Sequence, residues 1–170
     1  MTKEILETTA AFMEKHGIYP ATVLEFGSYN VNGTQRVNFK SSNYIGIDIE
    51  AGSGVDIVAD ITDTKDVIKK LPLSHYSPDL LVCCETLEHV PIFWRVLDLI
   101  DSLTTGKHIL LSFPTFGFPY HAFPIDCNRF TMDAVNGWAK EFNWTILDHA
   151  AVTDYAGLPC LVVLFKNNKR

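Results

Sequence analysis

Positive charge is scarce in this sequence. Its 170 residues include 14 lysines and arginines against 20 aspartates and glutamates, a net charge of −6. Nucleic-acid binding rests on many Lys and Arg contacts to phosphate, so it is not expected here. No stretch approaches the ~20 apolar residues of a membrane-spanning helix. The opening "MTKEILETTAAFMEKHG" is amphipathic, carries several charges and lacks the apolar centre of a secretory signal. The cysteines, Cys83, Cys84, Cys127 and Cys160, include no CxxC pair, which argues against a zinc ribbon. We therefore expect a soluble, cytoplasmic protein with reduced thiols. Internal repeats, low-complexity tracts and linkers are also missing. Residues 1–170 read as one domain, and 47% hydrophobic residues supply a core.

What is present alternates between two periodicities. Ile5, Leu6, Thr9, Phe12 and Met13 recur at helical spacing and stop at Gly17, predicting a helix over 2–16. "ATVLEF", "NYIGIDI", "VDIVAD", "PDLLVCCE" and "HILLSFP" read as strands. Between and after them, "TDTKDVIKKL", "PIFWRVLDLIDSL" and "TMDAVNGWAKEF" read as helices, the last capped by Thr131. "WTILDHA" and "CLVVLFKN" close the chain as two strands with no helix between them, so one must run antiparallel to its neighbour. The sum is an α/β fold: a Rossmann-like, doubly wound, mostly parallel sheet of seven strands with an antiparallel C-terminal strand.

In such a sheet, ligands bind beyond the carboxyl ends of the strands. "VLEFGSYNVNG" ends the first strand in a Gly/Ser/Asn-rich turn, but no GxGxxG is present. Glu25 there can only accept hydrogen bonds when ionised. A pyrophosphate wants free N–H groups, so an acid in the turn suits a cationic or neutral ligand better. Gly27 would let the backbone approach that ligand. Asp48, about twenty residues on, stands where a carboxylate grips ribose hydroxyls. Asp60 ends the third strand beside the apolar Ile61, a pairing suited to an adenine amino group and ring.

Taken in order, "VLEFGSYNVNG", "YIGIDIEAGSGVDIVADI" and "PDLLVCCETLEHV" resemble the successive motifs of class I S-adenosylmethionine-dependent methyltransferases. The likeness is closest to small bacterial and phage-type proteins of the methyltransferase-11 kind, and it spans Val23 to Arg129. It implies that Glu25, Gly27 and Ser28 hold the methionine part of S-adenosylmethionine, with Asn30 a further cofactor-binding candidate where the turn departs from the family pattern. It further implies that Asp48 with Ile49 binds the ribose side, that Asp60 and Ile61 meet adenine, and that Cys84 and Glu85 line the floor under the sulfonium. S-adenosylhomocysteine would be the product. The sequence departs from the pattern at Tyr29, where a second glycine is usual, and in the short segment before the second strand.

Two further stretches carry polar chemistry. In "ETLEHV", a helical turn starting at Glu85 would put Glu88 and His89 on one side. Two carboxylates and an imidazole could bind a divalent metal. The pattern resembles that of some metal-using catechol and RNA-ribose O-methyltransferases, and that resemblance implies His121 as the completing ligand. The alternatives are a metal-free site, in which His89 and then His121 serve as catalytic groups on the substrate side, and a structural histidine. The second stretch, "FPTFGFPYHAFPIDCNRFT", is a Pro- and aromatic-rich loop after the fifth strand. Tyr120, His121 and Arg129 are its candidates for substrate contact, while Asp126 and Arg129 could pin the loop. The expected acceptor is a hydroxyl or amine of a small molecule or sugar. Two competing readings are a cofactor-binding module without turnover and a nicotinamide-dependent oxidoreductase.

Overall fold

The computed structural model describes residues 1–40, 42–72, 77–153 and 157–169. Helix α1 (Lys3–His16) buries Ile5, Thr9, Phe12 and Met13 along one stripe and ends at Gly17. Seven strands follow: β1 (Thr22–Phe26), β2 (Asn43–Asp48), β3 (Ile57–Val58), β4 (Leu80–Cys84), β5 (His108–Pro114), β6 (Trp144–Thr153) and β7 (Pro159–Asn167). Helices α2 (Thr64–Lys70), α3 (Phe93–Leu103) and α4 (Met132–Phe142) connect them. All seven strands form one sheet in the order β3-β2-β1-β4-β5-β7-β6.

Strands β1 to β5 pair in parallel, and the order reverses between β1 and β4. Strand β7 is antiparallel to β5 and to β6 and lies between them. The closing pair is thus the antiparallel feature expected, with its second strand inserted into the sheet rather than left at its edge. The third strand is much shorter than "VDIVAD" suggests. Asp56 remains bonded to β2 through its backbone N to Gly46 O (2.9 Å), while its carboxylate accepts from Gly46 N (2.7 Å) and pairs with Arg36. Asp60 closes a turn instead, accepting from Thr62 N and Thr62 Oγ1. Thr131 occupies the N-cap position of α4, although its side chain makes no capping hydrogen bond.

Alternation along the strands sends side chains to two separate cores. On one face, Leu24, Phe26, Leu81, Cys83, Leu111, Phe113 and Phe165 meet α2, α3 and α4. There Phe113, Phe130, Phe93 and Trp138 interlock edge to face at 4.9–6.2 Å between centroids. On the other face, Val23, Leu80, Val82, Leu110, Val162 and Leu164 meet α1 and Phe39. Each such buried Leu, Val or Phe contributes about 1.5–3 kcal/mol.

This second face is more thinly covered. Between β1 and β2, among the described residues, the chain makes a single 3-10 turn, Gln35–Val37. Polar contacts anchor it. Buried Gln35 donates to Thr9 Oγ1 of α1 (3.0 Å), and Asn38 bridges Gln35 Oε1 to the Leu6 carbonyl. Arg36 stacks on the Tyr44 ring and donates to Gly54 O. Among the described residues, no helix is long and apolar enough to cross a membrane.

Candidate active site

Because β1 to β5 are parallel, their carboxyl ends bring three loops to one edge: 27–33, 85–92 and 115–131. The first loop starts with a sharp change of direction. Gly27 has φ 74°, and a Cβ there would sit 2.0 Å from Thr86 Oγ1. The glycine is therefore required by Thr86 of the second loop, and not only by the approach of a ligand. Gly27 N and Ser28 N both donate to Ile47 O at the end of β2. Buried Ser28 packs against Gly46, where a Cβ would clash with Ser28 Oγ at 2.6 Å.

Asp48 lies next to this turn. One carboxylate oxygen accepts from Tyr29 N (3.0 Å) and the other from Glu50 N (3.1 Å). These two bonds fix its orientation, and a carboxylate retains further lone pairs for a ligand. Ile49 beside it is 65% exposed. Asn30 spends its side-chain oxygen on Gly33 N, closing its own turn. Tyr29 lies across Gly52, where a Cβ would come within 2.3 Å of its ring. The bulk that interrupts the glycine pattern thus clamps loop 27–33 onto the loop after β2.

Glu25 is the most unusual group on this side. It is 2% exposed, and Oε2 has no hydrogen-bond partner. Burial lifts its carboxyl to about 7, and the Tyr44 phenol and the Arg36 charge offset only part of that cost. Tyr44 faces it without completing a hydrogen bond of normal geometry. An acid held dry beside an open loop is suited to a cationic group that would restore its charge.

Some predicted residues lie elsewhere than expected. Ile61 is packed into the helix-covered core rather than against open space. Cys84 points into the other core, where Gln35 Nε2 lies 3.8 Å from its sulfur, and burial raises its thiol far above the ordinary range. Glu85 has φ 51°, a left-handed conformation that is strained for a side-chain-bearing residue. That kink stops a helical turn from starting at Glu85, and the 3-10 turn begins only at Leu87. The expected grouping of Glu85 with Glu88 and His89 is therefore corrected. Glu85 accepts from Ser112 Oγ of β5 (3.0 Å), while the other two join His121.

Glu88, His89 and His121 place their donor atoms within 4.8 Å of one another. Glu88 is fully buried, and burial, then the Glu85 charge, push its carboxyl well above the usual range. His89 Nδ1 lies 2.5 Å from Ile125 O. The two histidine rings meet edge on, 5.1 Å apart.

The third loop is held by Arg129. Its guanidinium grips Asp126 bidentately (Nη2 to Oδ2 2.6 Å) and donates to the carbonyls of Phe118, Pro119 and Asn128. All five of its N–H groups are engaged. Asp126 also accepts from His121 N (2.7 Å), and Arg129 above all holds its carboxyl well below the usual range. Arg129, expected at the substrate, is thus a loop clamp that reaches the site through His121. Tyr120 is 76% exposed at the rim.

Sequence reasoning overlooked Tyr44, Thr86 and Ser112. Only Ser112 left a trace, a hydroxyl inside the apolar run "HILLSFP". Tyr44 and Thr86 acquire their roles from strand pairing that no local pattern reports.

Solved structures share this architecture. A Burkholderia thailandensis 1,6-didemethyltoxoflavin-N1-methyltransferase, with bound 1,6-didemethyltoxoflavin and S-adenosylhomocysteine, matches with a TM-score of 0.75 at 16% identity over 97% of this chain and 79% of that one. The magnesium protoporphyrin IX methyltransferase of Synechocystis PCC 6803, with bound S-adenosylmethionine, matches with a TM-score of 0.69 at 12% identity over 96% and 78%. The N-methyltransferase NodS of Bradyrhizobium japonicum WM9, in complex with S-adenosylhomocysteine, matches with a TM-score of 0.64 at 14% identity over 94% and 84%. No protein-family model matches the sequence, and no curated protein does. The chain has the fold of class I S-adenosylmethionine-dependent methyltransferases.

Proposed function

We propose that this chain is an S-adenosylmethionine-dependent methyltransferase acting on a hydroxyl or amine of a small molecule or sugar. Residues 1–170 form one catalytic unit in this reading, with 1–17 as its N-terminal helix. The observation that carries it is Glu25: a dry carboxyl with an unpartnered oxygen, at the switch point of a methyltransferase fold. Glu25, Gly27, Ser28 and Asn30 would hold the cofactor's amino-acid end, Asp48 and Ile49 its ribose side, Asp60 the adenine region and Glu85 the floor, while Ile61 and Cys84 support these positions from the two cores. The four cysteines remain thiols, which fits a cytoplasmic setting.

The bound cofactor supplies a methyl group already made electrophilic by its sulfonium. What is left to the chain is positioning, which can lower a barrier by several kcal/mol. Asp48, pinned by two backbone N–H groups, orients the nucleoside. Arg129 and Asp126 fix the loop that carries His121. His89 and His121 stand on the acceptor side of the site, where they would favour loss of the proton that the nucleophile must give up.

Calorimetry with S-adenosylhomocysteine, in parallel with NAD, tests the reading. Binding of S-adenosylhomocysteine alone, weakened at least tenfold by Asp48→Ala, is the expected result. Binding of NAD instead would overturn it. The shortened segment between β1 and β2 favours one other reading, a binding module without turnover. That reading predicts the same calorimetry with no methyl transfer to any acceptor.

A further inference from the structure

Glu88 is a costly residue as it stands. Its side chain is fully buried, and neither carboxylate oxygen has a hydrogen-bond partner. The nearest cationic candidate, His89 Nε2, is 3.6 Å away, too long for a hydrogen bond. A buried polar group without a partner costs about 1–3 kcal/mol, and more when charged. Buried His121 Nδ1 also lacks a hydrogen-bond partner, with Asp126 Oδ2 at 3.5 Å. Glu88, His89 and His121 each offer one donor atom within 4.8 Å of the other two.

The surroundings hold the three side chains in position. A carbonyl can only accept, so Ile125 O fixes the proton of His89 on Nδ1. The Nε2 lone pair of the neutral ring is then left on the side of Glu88 and His121. Such a carbonyl on the far nitrogen is how a protein orients an imidazole ligand. The Glu88 carbonyl accepts from Cys127 N (2.7 Å) and Asn128 N (3.2 Å), and Asn128 Nδ2 reaches Leu87 O and Val90 O. The turn that carries Glu88 and His89 is thereby locked to the loop that carries His121.

We infer that Glu88, His89 and His121 form a binding site for one divalent transition-metal cation, facing the acceptor loop. Two imidazoles and one carboxylate suit Mn²⁺, Co²⁺, Fe²⁺ or Zn²⁺, whereas Mg²⁺ and Ca²⁺ prefer all-oxygen sets. Three protein donors leave coordination positions open. A cation there would hold an acceptor hydroxyl and favour loss of its proton, so the site prefers an oxygen acceptor to an amine. In the transfer, the acceptor O–H bond breaks with its proton passing to solvent, an O–CH₃ bond forms, and the S–CH₃ bond breaks to leave the thioether. This use of the cation rests on the methyl-transfer reading, but the binding itself does not.

The test is titration of the full chain with Co²⁺, followed by visible absorption and by calorimetry, with no methyl acceptor present. We expect one Co²⁺ per chain with visible ligand-field bands, and no displacement by an equal concentration of Mg²⁺. Glu88→Gln keeps the shape and removes the anionic donor, and it should weaken binding at least tenfold. His121→Ala, on a partly exposed loop, should do the same with an unchanged melting temperature. Binding without the bands, or with equal affinity in both variants, would overturn the proposal. Co²⁺ binding without S-adenosylhomocysteine binding would sink the methyltransferase reading instead, and the reverse result would sink only the metal site.

Discussion

Glu25 and Glu88 both sit without water near the carboxyl edge of the sheet, yet their surroundings differ. Glu25 lies on the thinly covered face, with Tyr44 and Arg36 near enough to offset part of its burial cost. Glu88 lies under a loop tied down by Arg129 and Asn128, and its charge is opposed by Glu85. One region offers a single acid to a cationic ligand. The other offers an acid with two imidazoles, which is a donor set. On the proposed reading the sheet has a recognition half around β1 and β2 and a chemical half around β4 and β5, meeting where Thr86 fills the space that Gly27 leaves.

If the two halves are separable, substitutions should separate them. The largest expected effect is on turnover. His121→Ala should lower kcat about 100-fold at saturating cofactor, with S-adenosylhomocysteine affinity changed less than twofold. Glu25→Gln should show the opposite pattern, with cofactor affinity down roughly 30-fold and Co²⁺ binding unaffected. A variant that damaged both equally would erase the distinction.

Glu25 also sharpens the comparison through pH. Folded, its carboxyl titrates at about 7, against 4.5 for the ordinary group. Between those values the folded chain holds more protons than the unfolded one, so stability falls as pH rises through the window. The expected loss is roughly 2–3 kcal/mol. Urea midpoints measured from pH 4.5 to 7.5 should show it, and Glu25→Gln should flatten the slope. An ammonium-bearing ligand should draw the proton off, so cofactor binding below pH 7 should release protons, seen by calorimetry in buffers of different ionisation enthalpy. The smallest effect belongs to Asp126→Ala, which strands the Arg129 guanidinium. It should cost about 1–2 kcal/mol, lowering the melting temperature by roughly 4 °C, with cofactor affinity untouched.

Much of this arrangement was legible in the sequence because it rests on local periodicity. The apolar stripe of α1, the short buried run "ATVLEF" and the break at Pro91 ahead of α3 each report their own element. The acids Glu25 and Asp48 and the pair Glu88–His89 could also be picked out, since their spacing from strand ends is local. What escaped depends on distant partners. The third strand is only Ile57–Val58, and the Arg36–Asp56 pair beside it joins segments twenty residues apart. Glu85 turns away because its backbone takes a left-handed conformation that nothing in "CCETLEH" announces. Of the two roles the sequence left open for Arg129, substrate contact and loop pin, three carbonyls and Asp126 take all its donors and make it the pin.

The position of β7 has a consequence for the order in which the molecule can assemble. Strand β5 pairs with β7, so His108 must find Lys166 and Pro114 must find Cys160. On a ribosome, β1 to β5 and their helices can emerge and pair while one long edge of β5 still lacks its neighbour. That edge belongs to a strand buried along almost its whole length, the kind that recruits another chain when left unpaired. Strand β6 cannot cover it, because its own place lies one strand further out. The seam closes only when residues 159–167 have been made, which is a vectorial bottleneck. Chains halted before that segment should therefore be sticky, chaperone-dependent intermediates.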